Sequence, residues 1–299
     1  MKVTTAQPVS DGIDTYRPRI PFGEPWNARL RGRTGKVLSW VAIRSISVMV
    51  CLVLWQAASD QRWNFIINFQ AIPSPLVVLQ AGSHLMQSSQ LAEHIWSSVC
   101  RIFLGFSIAG VIAVVLGLLV GRSKLMGSIF LGPLEVLRPI PAVAWIPLAI
   151  LMFASPENSM VFITFIGAFF PIFLNTIHGA ANIDRRLIEA SRTLGAPPLA
   201  VFGEVILPGA LPSIITGLSI GMGTSWFSLI TAEMISGQFG IGYYTWEAYT
   251  LQNYPDIVVG MIVIGVLGLL SSFLVRHIGS LFTPWLRTGG TVINEGEVR

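Results

Sequence analysis

The feature that most constrains this chain is a series of apolar stretches, each long enough to cross a bilayer. A hydrocarbon core about 30 Å thick needs roughly 20 residues of apolar helix. Six stretches meet that length: 40–59, 101–120, 130–153, 159–178, 211–235 and 256–275. Composition agrees. Only 11% of the 299 residues are charged against 53% hydrophobic, and the mean hydropathy is +0.67. A water-soluble domain carries about 25% charged residues to cover its surface. The chain therefore reads as an all-α membrane protein with six transmembrane helices.

Lys and Arg outside the spans set the sidedness. With the N-terminus cytoplasmic, the inner segments hold Lys2, Arg17, Arg19, Arg29, Arg31, Arg33, Lys36, Arg122, Lys124, Arg185, Arg186, Arg192, Arg276, Arg287 and Arg299. Outer loops hold Arg62, with Arg101 at the outer mouth of the second span, and Arg44 sits near the inner end of the first. This positive-inside asymmetry puts both termini in the cytoplasm. It also accounts for the net charge of +4, so no nucleic-acid partner is expected. No dense basic run interleaved with aromatics argues otherwise.

The organisation follows. Residues 1–36, polar and rich in Pro, Gly and Arg, are expected to be a largely disordered cytoplasmic tail. No signal peptide is read there, because the apolar region comes late and no cleavage site follows it. Residues 37–285 form the six-span domain, with a cytoplasmic loop at 182–210, and 286–299 form a cytoplasmic C-terminal tail. The outer segment 60–100 carries Ile72-Pro73-Ser74-Pro75 and then apolar residues from Leu76 to Trp96. A helix along the outer surface is expected there, serving either an external partner or as a lid packed on the spans.

Little enzymatic chemistry is on offer. Cys51 and Cys100 lack CxxC spacing, and His84, His94, His178 and His277 are scattered. No metal site and no nucleophile–base constellation is expected. Polar features inside the spans are more telling. The third span contains Arg138-Pro139-Ile140-Pro141-Ala142-Val143-Ala144-Trp145-Ile146-Pro147. Its prolines remove helix donors, and broken backbone survives in lipid only against protein or a watery cavity. The segment should face the bundle interior, as part of a pathway or as a packing kink. Glu233 is a carboxylate at membrane depth and a functional candidate by default. Pairing with Arg138 or a role in an outer gate is expected of it. Arg138, Pro139, Pro141, Trp145, Ser228, Thr231 and Glu233 are thus the pathway or gate candidates. Gly117 and Gly121, and Gly217, Gly221 and Gly223, are read as close-packing positions.

The loop between spans four and five reads NIDRRLIEASRTLGAPPLAVFGEVILPGAL. Asp184 can cap a short helix over 185–194, Gly195 suits the left-handed residue that ends it, and Pro197-Pro198 prevent continuation. An amphipathic turn from Leu199 to Ile206 then leads into Leu207-Pro208. Glu189-Ala190-Ser191, Gly195 and Val205-x-Leu207-Pro208 resemble the EAA-G-I-LP signature of ABC importer permeases. Ser191 stands where that family has Ala, and Val205 where Ile is common. The resemblance runs from about 40 to about 285. Pro73-Ser74-Pro75, RPIPAVAWIPLAILMF and AEMISGQFGIGYYTWEAY look like the nitrate/sulfonate/taurine/bicarbonate branch, with Phe153-Ala154 where relatives often carry Phe-Gly.

The resemblance implies a type I ABC importer permease in a bacterial cytoplasmic (inner) membrane. Two permease chains form the pathway, a homodimer being favoured over a heterodimer, with membrane lipid around them. Cytoplasmic ABC ATPase subunits drive it, and an external or periplasmic solute-binding protein delivers a small oxyanion or organosulfonate. This chain holds no GxxxxGK[ST] and is expected to bind no cofactor, ATP and Mg sitting on the partner ATPase. Glu189, Ala190, Ser191, Gly195, Val205, Leu207 and Pro208 would couple it to that ATPase. The rival expectations are an ion-coupled secondary transporter, for which inverted repeats are not evident, and a permease for another small organic solute.

Overall fold

The structure, a computed structural model, describes residues 26–64, 68–69, 71–85, 87, 89–236 and 238–285, with the backbone alone for 26–39 and 41. It divides into two units, 1–57 and 58–299. Helix α1 (Trp26–Asp60) makes up the first unit and leads into the second. Its stretch Ala42–Asp60 is apolar enough to span. The Arg44 guanidinium lies 3.4 Å from the centroid of the Trp40 ring, one turn away, a cation–π contact suited to a membrane boundary. The helix begins at Trp26, inside the stretch expected to be tail. The remainder of that tail, 1–25, and the tail 286–299 lie outside the described residues.

In the second unit α2 (Pro75–Leu85) and α3 (Ser89–Arg122) replace the single surface helix expected over 76–96. Val78 of α2 is buried, and Gly82 faces Val259 of the last helix, so α2 is a lid packed on a span. Beyond Arg122 come α4 (Lys124–Leu137), a 3₁₀ turn (Ala142–Trp145), α5 (Ile146–Met152) and α6 (Pro156–Ala181). Two short helices follow, α7 (Arg185–Thr193) and α8 (Pro198–Val201), and a π-helical turn Phe202–Ile206 merges into α9 (Leu207–Ser236). Last come α10 (Ile241–Thr250) and α11 (Tyr254–Leu281).

The registers of the glycine seams fix the topology. Gly105 of α3 abuts Val161 and Thr164 of α6, Gly117 abuts Phe173 and Thr176, and Gly121 abuts Ile177 and Ala180. The two helices therefore run parallel and start at the same face of the membrane. A methyl group on Gly117 would meet Thr176 at 2.6 Å, so the seam tolerates only the smallest residue. Because α3 and α6 are parallel, the chain between them has to cross back. It does so in pieces: α4 and the 3₁₀–α5 segment are bent by 87°, where one span over 130–153 was expected. Pro139 and Pro141 have no N–H to offer at the break, while Pro147 sits in the first turn of α5, where a missing donor costs nothing. With five uninterrupted spanning helices, this bent pair completes six crossings.

Helix α9 returns antiparallel to α6, with Gly217 against Ile172 and Asn175, and Gly167 against Thr224 and Ser228. Helix α11 returns along α9, with Gly279 against Ile215. Of the expected close-packing positions, Gly223 alone has open space around it. Between the helices lies one apolar cluster around Ile102, Ile146, Met160, Ile163, Met222 and Leu229. A second lies around Ala113, Ala168, Phe169, Ile172 and Phe173. In lipid, such contacts act through close packing, since the tails are as apolar as the side chains.

Candidate functional site

Three places combine polar chemistry with defined geometry. The first is the loop between α6 and α9. The Asp184 side chain accepts a hydrogen bond from the Arg186 N–H at 2.9 Å, capping α7. At the other end Gly195 has φ +85°, its N–H donates to the Arg192 carbonyl, and the Ala196 N–H donates to the Ser191 carbonyl. That pair of bonds is a complete Schellman stop, and the positive φ is the reason glycine stands there. Beneath the turn Ile188, Val201 and Ile206 form a small buried core, flanked by Ile183, Ala196 and Val205. The loop is thus a packed unit, continuous through the π-helical turn with α9.

The sequence motif divides accordingly. Glu189 and Ala190 are exposed, and the Ser191 hydroxyl donates to the Leu187 carbonyl at 2.8 Å. Val205 packs against the loop core, Leu207 packs against the cluster of Ala180, Ala210 and Ile214, and Pro208 lies in the first turn of α9. The outward surface also carries Leu187, Leu194 at 88% exposure and Leu199 at 81%. Apolar side chains left so bare around a charged helix mark a contact surface.

The second place is a groove of about 250 Å³ beside the break in the third crossing. Its walls include Arg138, Pro141, Phe170, Thr224 and Ser228. The Thr224 hydroxyl donates to the Gly167 carbonyl at 2.7 Å, tying α9 to α6, and the Ser228 hydroxyl donates to the Thr224 carbonyl at 2.8 Å. Of the pathway candidates, Arg138, Pro141 and Ser228 meet here; Pro139 is in the adjoining break. Trp145 does not line the groove: it packs on the first apolar cluster, edge-on to Phe162. The Thr231 hydroxyl is turned to the Phe227 carbonyl of its own helix at 2.9 Å.

The third place corrects the expected partner of Glu233. That carboxylate is fully buried and pairs with Arg101, whose guanidinium NH1 lies 2.8 Å away; Arg138 makes no ion pair among the described residues. The Ser98 hydroxyl is 2.8 Å and 2.9 Å from the two oxygens, and the Gly242 N–H donates at 2.9 Å. Arg101, 4% exposed, also donates through Nε to Glu157 at 2.7 Å and to the Phe239 carbonyl. One residue thereby joins α3, the start of α6, the end of α9 and the turn before α10. The Gly240 N–H donates to His94 Nδ1 at 3.0 Å, so that nitrogen carries the lone pair. Gly240 has φ +146°, and a Cβ there would collide with the Glu233 carboxylate.

Sequence reading missed Arg101, Ser98, His94 and Glu157, as well as α10. From sequence Arg101 reads as lying at the outer mouth of the second span, because that span is expected to start there. Helix α3 starts at Ser89, which sinks Arg101 about three turns into the helix. An arginine inside a span needs acids, and Glu233 and Glu157 supply them.

Comparison with known proteins agrees with this architecture. Residues 109–288, more than half of the chain, match the family described as binding-protein-dependent transport system inner membrane component. The nitrate import permease NrtB of Synechocystis is 34% identical, the match covering 80% of this chain and 88% of that one. A protein of Escherichia coli named as the aliphatic sulfonates transport permease SsuC is 37% identical over 78% of this chain and 88% of its own. Among solved structures, a chain of the inward-facing MetNI methionine ABC transporter superposes with a TM-score of 0.55 at 22% identity, covering 65% of this chain and 96% of that one. That likeness shows a shared fold. Membership of the family implies an ATPase and a binding protein as partners. The chain belongs to the inner-membrane components of binding-protein-dependent transport systems, and is a multi-pass ABC importer permease of type I.

Proposed function

We propose that α7 is the lever through which this permease receives work from a separate ATPase, and that its cargo is a small oxyanion or organosulfonate. The single observation that carries the first part is the build of the loop. A capped helix ends in a Schellman turn, rests on its own core of Ile188, Val201 and Ile206, and runs on into α9. A displacement of α7 is then passed to a spanning helix rather than absorbed by slack backbone. Glu189 supplies a polar contact, Leu187, Leu194 and Leu199 supply apolar ones, and Ala190 and Ser191 keep the approach close.

On this reading ATP and Mg are held by the ATPase, and this chain binds no cofactor. Two copies of the chain enclose the pathway, and a solute-binding protein delivers cargo at the outer face. The cargo class rests on the nitrate and sulfonate permeases to which the chain is similar.

The test is Glu189→Ala and Leu194→Asp in the complete transporter, with uptake, ATPase activity and co-purification of the ATPase all measured. Both variants are expected to insert normally. Uptake should fall at least fivefold, and Leu194→Asp should release the ATPase. Uptake at the wild-type rate in both, with the ATPase still bound, would refute the lever.

A further inference from the structure

Arg101 and Arg138 are treated very differently by the fold. Arg101 is enclosed and neutralised by Glu157 and Glu233. Arg138 lines the groove and makes no ion pair among the described residues; with Glu135, one turn earlier, it also lines a smaller adjoining crevice, with no hydrogen bond between the two. The groove lies deep in the membrane. Gly167 is near the middle of α6, whose 26 residues extend about 39 Å at 1.5 Å per residue, and Thr224 and Ser228 are in the outer half of α9. Arg138 is exposed to the groove rather than enclosed, and an ionisable side chain facing a cavity at that depth marks an ion pathway.

We propose that Arg138 selects for anions, as the one fixed positive charge that cargo meets in this groove. Its backbone is held in place: the Arg138 N–H still bonds the Leu134 carbonyl at 2.9 Å, closing α4, and Pro139 and Pro141 on either side of Ile140 bring no donors of their own. The neighbouring hydroxyls of Thr224 and Ser228 are committed to backbone carbonyls, and Phe170, Phe227 and Pro171 are apolar. The guanidinium fork is therefore the dominant donor in the groove, and its planar geometry matches nitrate, carboxylate-like and sulfonate oxygens. A single fork opposed by apolar walls draws an anion in yet lets it leave, as conduction requires.

This inference rests on the anion cargo proposed above, and the experiment separates the two. The complete transporter, with its ATPase and binding protein, is reconstituted in vesicles and supplied in turn with nitrate, bicarbonate, taurine and methanesulfonate. Arg138→Gln should lower the maximal uptake rate at least tenfold while half-saturation and co-purification of the ATPase stay as in wild type. Arg138→Lys, which keeps the charge, should retain clearly more uptake than Arg138→Gln. Uptake within twofold of wild type in Arg138→Gln, or equal losses in the Lys and Gln variants, would overturn the role of Arg138 and leave the cargo reading intact. Failure of the wild-type transporter to move any of the four probes would overturn the cargo reading and the selector role with it.

Discussion

Replacing Arg101 by Met is the perturbation whose consequence follows most directly from the geometry. Met fills much of the aliphatic volume but removes the charge and the donors that reach Glu233, Glu157 and the Phe239 carbonyl. Glu233 is 0% exposed, so water cannot replace what is lost. The carboxylate keeps only the Ser98 hydroxyl and the Gly242 N–H. Breaking a buried pair by deleting one partner costs about 3–5 kcal/mol. Glu157 is 54% exposed, and its half of the network is screened, so Glu157→Gln should cost no more than about 1 kcal/mol. Glu233→Gln keeps the shape and leaves Arg101 its other carboxylate, placing it between them. The double variant Arg101→Met/Glu233→Met removes both charges and should be less destabilised than the sum of its singles, the signature of direct coupling. Thermal melts of the detergent-purified transporter read the order, and a loss of about 3–5 kcal/mol corresponds to a midpoint roughly 5–8 °C lower for a chain of this length. If Arg101→Met melts no lower than Glu157→Gln, the Arg101 ion cluster does not hold these helices together.

Three further outcomes follow from single positions. Gly240→Ala forces a side chain into φ +146° and against Glu233, and should cost at least about 1–3 kcal/mol in the same melts. Gly195→Ala has open space but φ +85°; the left-handed strain of about 1–2 kcal/mol should loosen the end of α7, seen as faster amide exchange at 191–196 and lower uptake per ATP hydrolysed. Gly117→Val should abolish the α3–α6 seam and the yield of folded protein, whereas Gly223→Val, with nothing within 4 Å, should leave the yield of this chain nearly unchanged.

Much of this fold could be read before any coordinates, because the governing signals are local. Apolar length gave spans two, four, five and six to within a few turns, and the prolines after Arg138 announced a broken crossing. Asp184, Gly195 and Pro198 mark α7 through capping chemistry that a ten-residue window contains. What escaped is what depends on distant parts of the chain. Hydropathy does not tell that the polar residues before 101 continue one helix, and so it puts Arg101 at the mouth of the span. The choice between Arg101 and Arg138 as partner of Glu233 turns on the packing of α3 beside the end of α9. Helix α10 is too short and too mixed to stand out by apolar length, and Gly240 and Gly242 at its start show their purpose only once they are seen to cradle the Glu233 carboxylate. Span five grew at its inner end because Pro208 and Pro212 fall where the helix can carry them, the π-helical turn taking up the mismatch.

The claim on which the rest depends is that α7 lies on the cytoplasmic side and bears against an ATPase. Cys51 and Cys100 are both free and exposed; with these replaced by Ser, a single cysteine at Glu189 can be probed with a membrane-impermeant maleimide. Labelling is predicted in inverted vesicles and not in intact spheroplasts, with strong protection once the ATPase subunits are bound. Labelling from the outer face, or labelling that the ATPase leaves unchanged, would contradict the account.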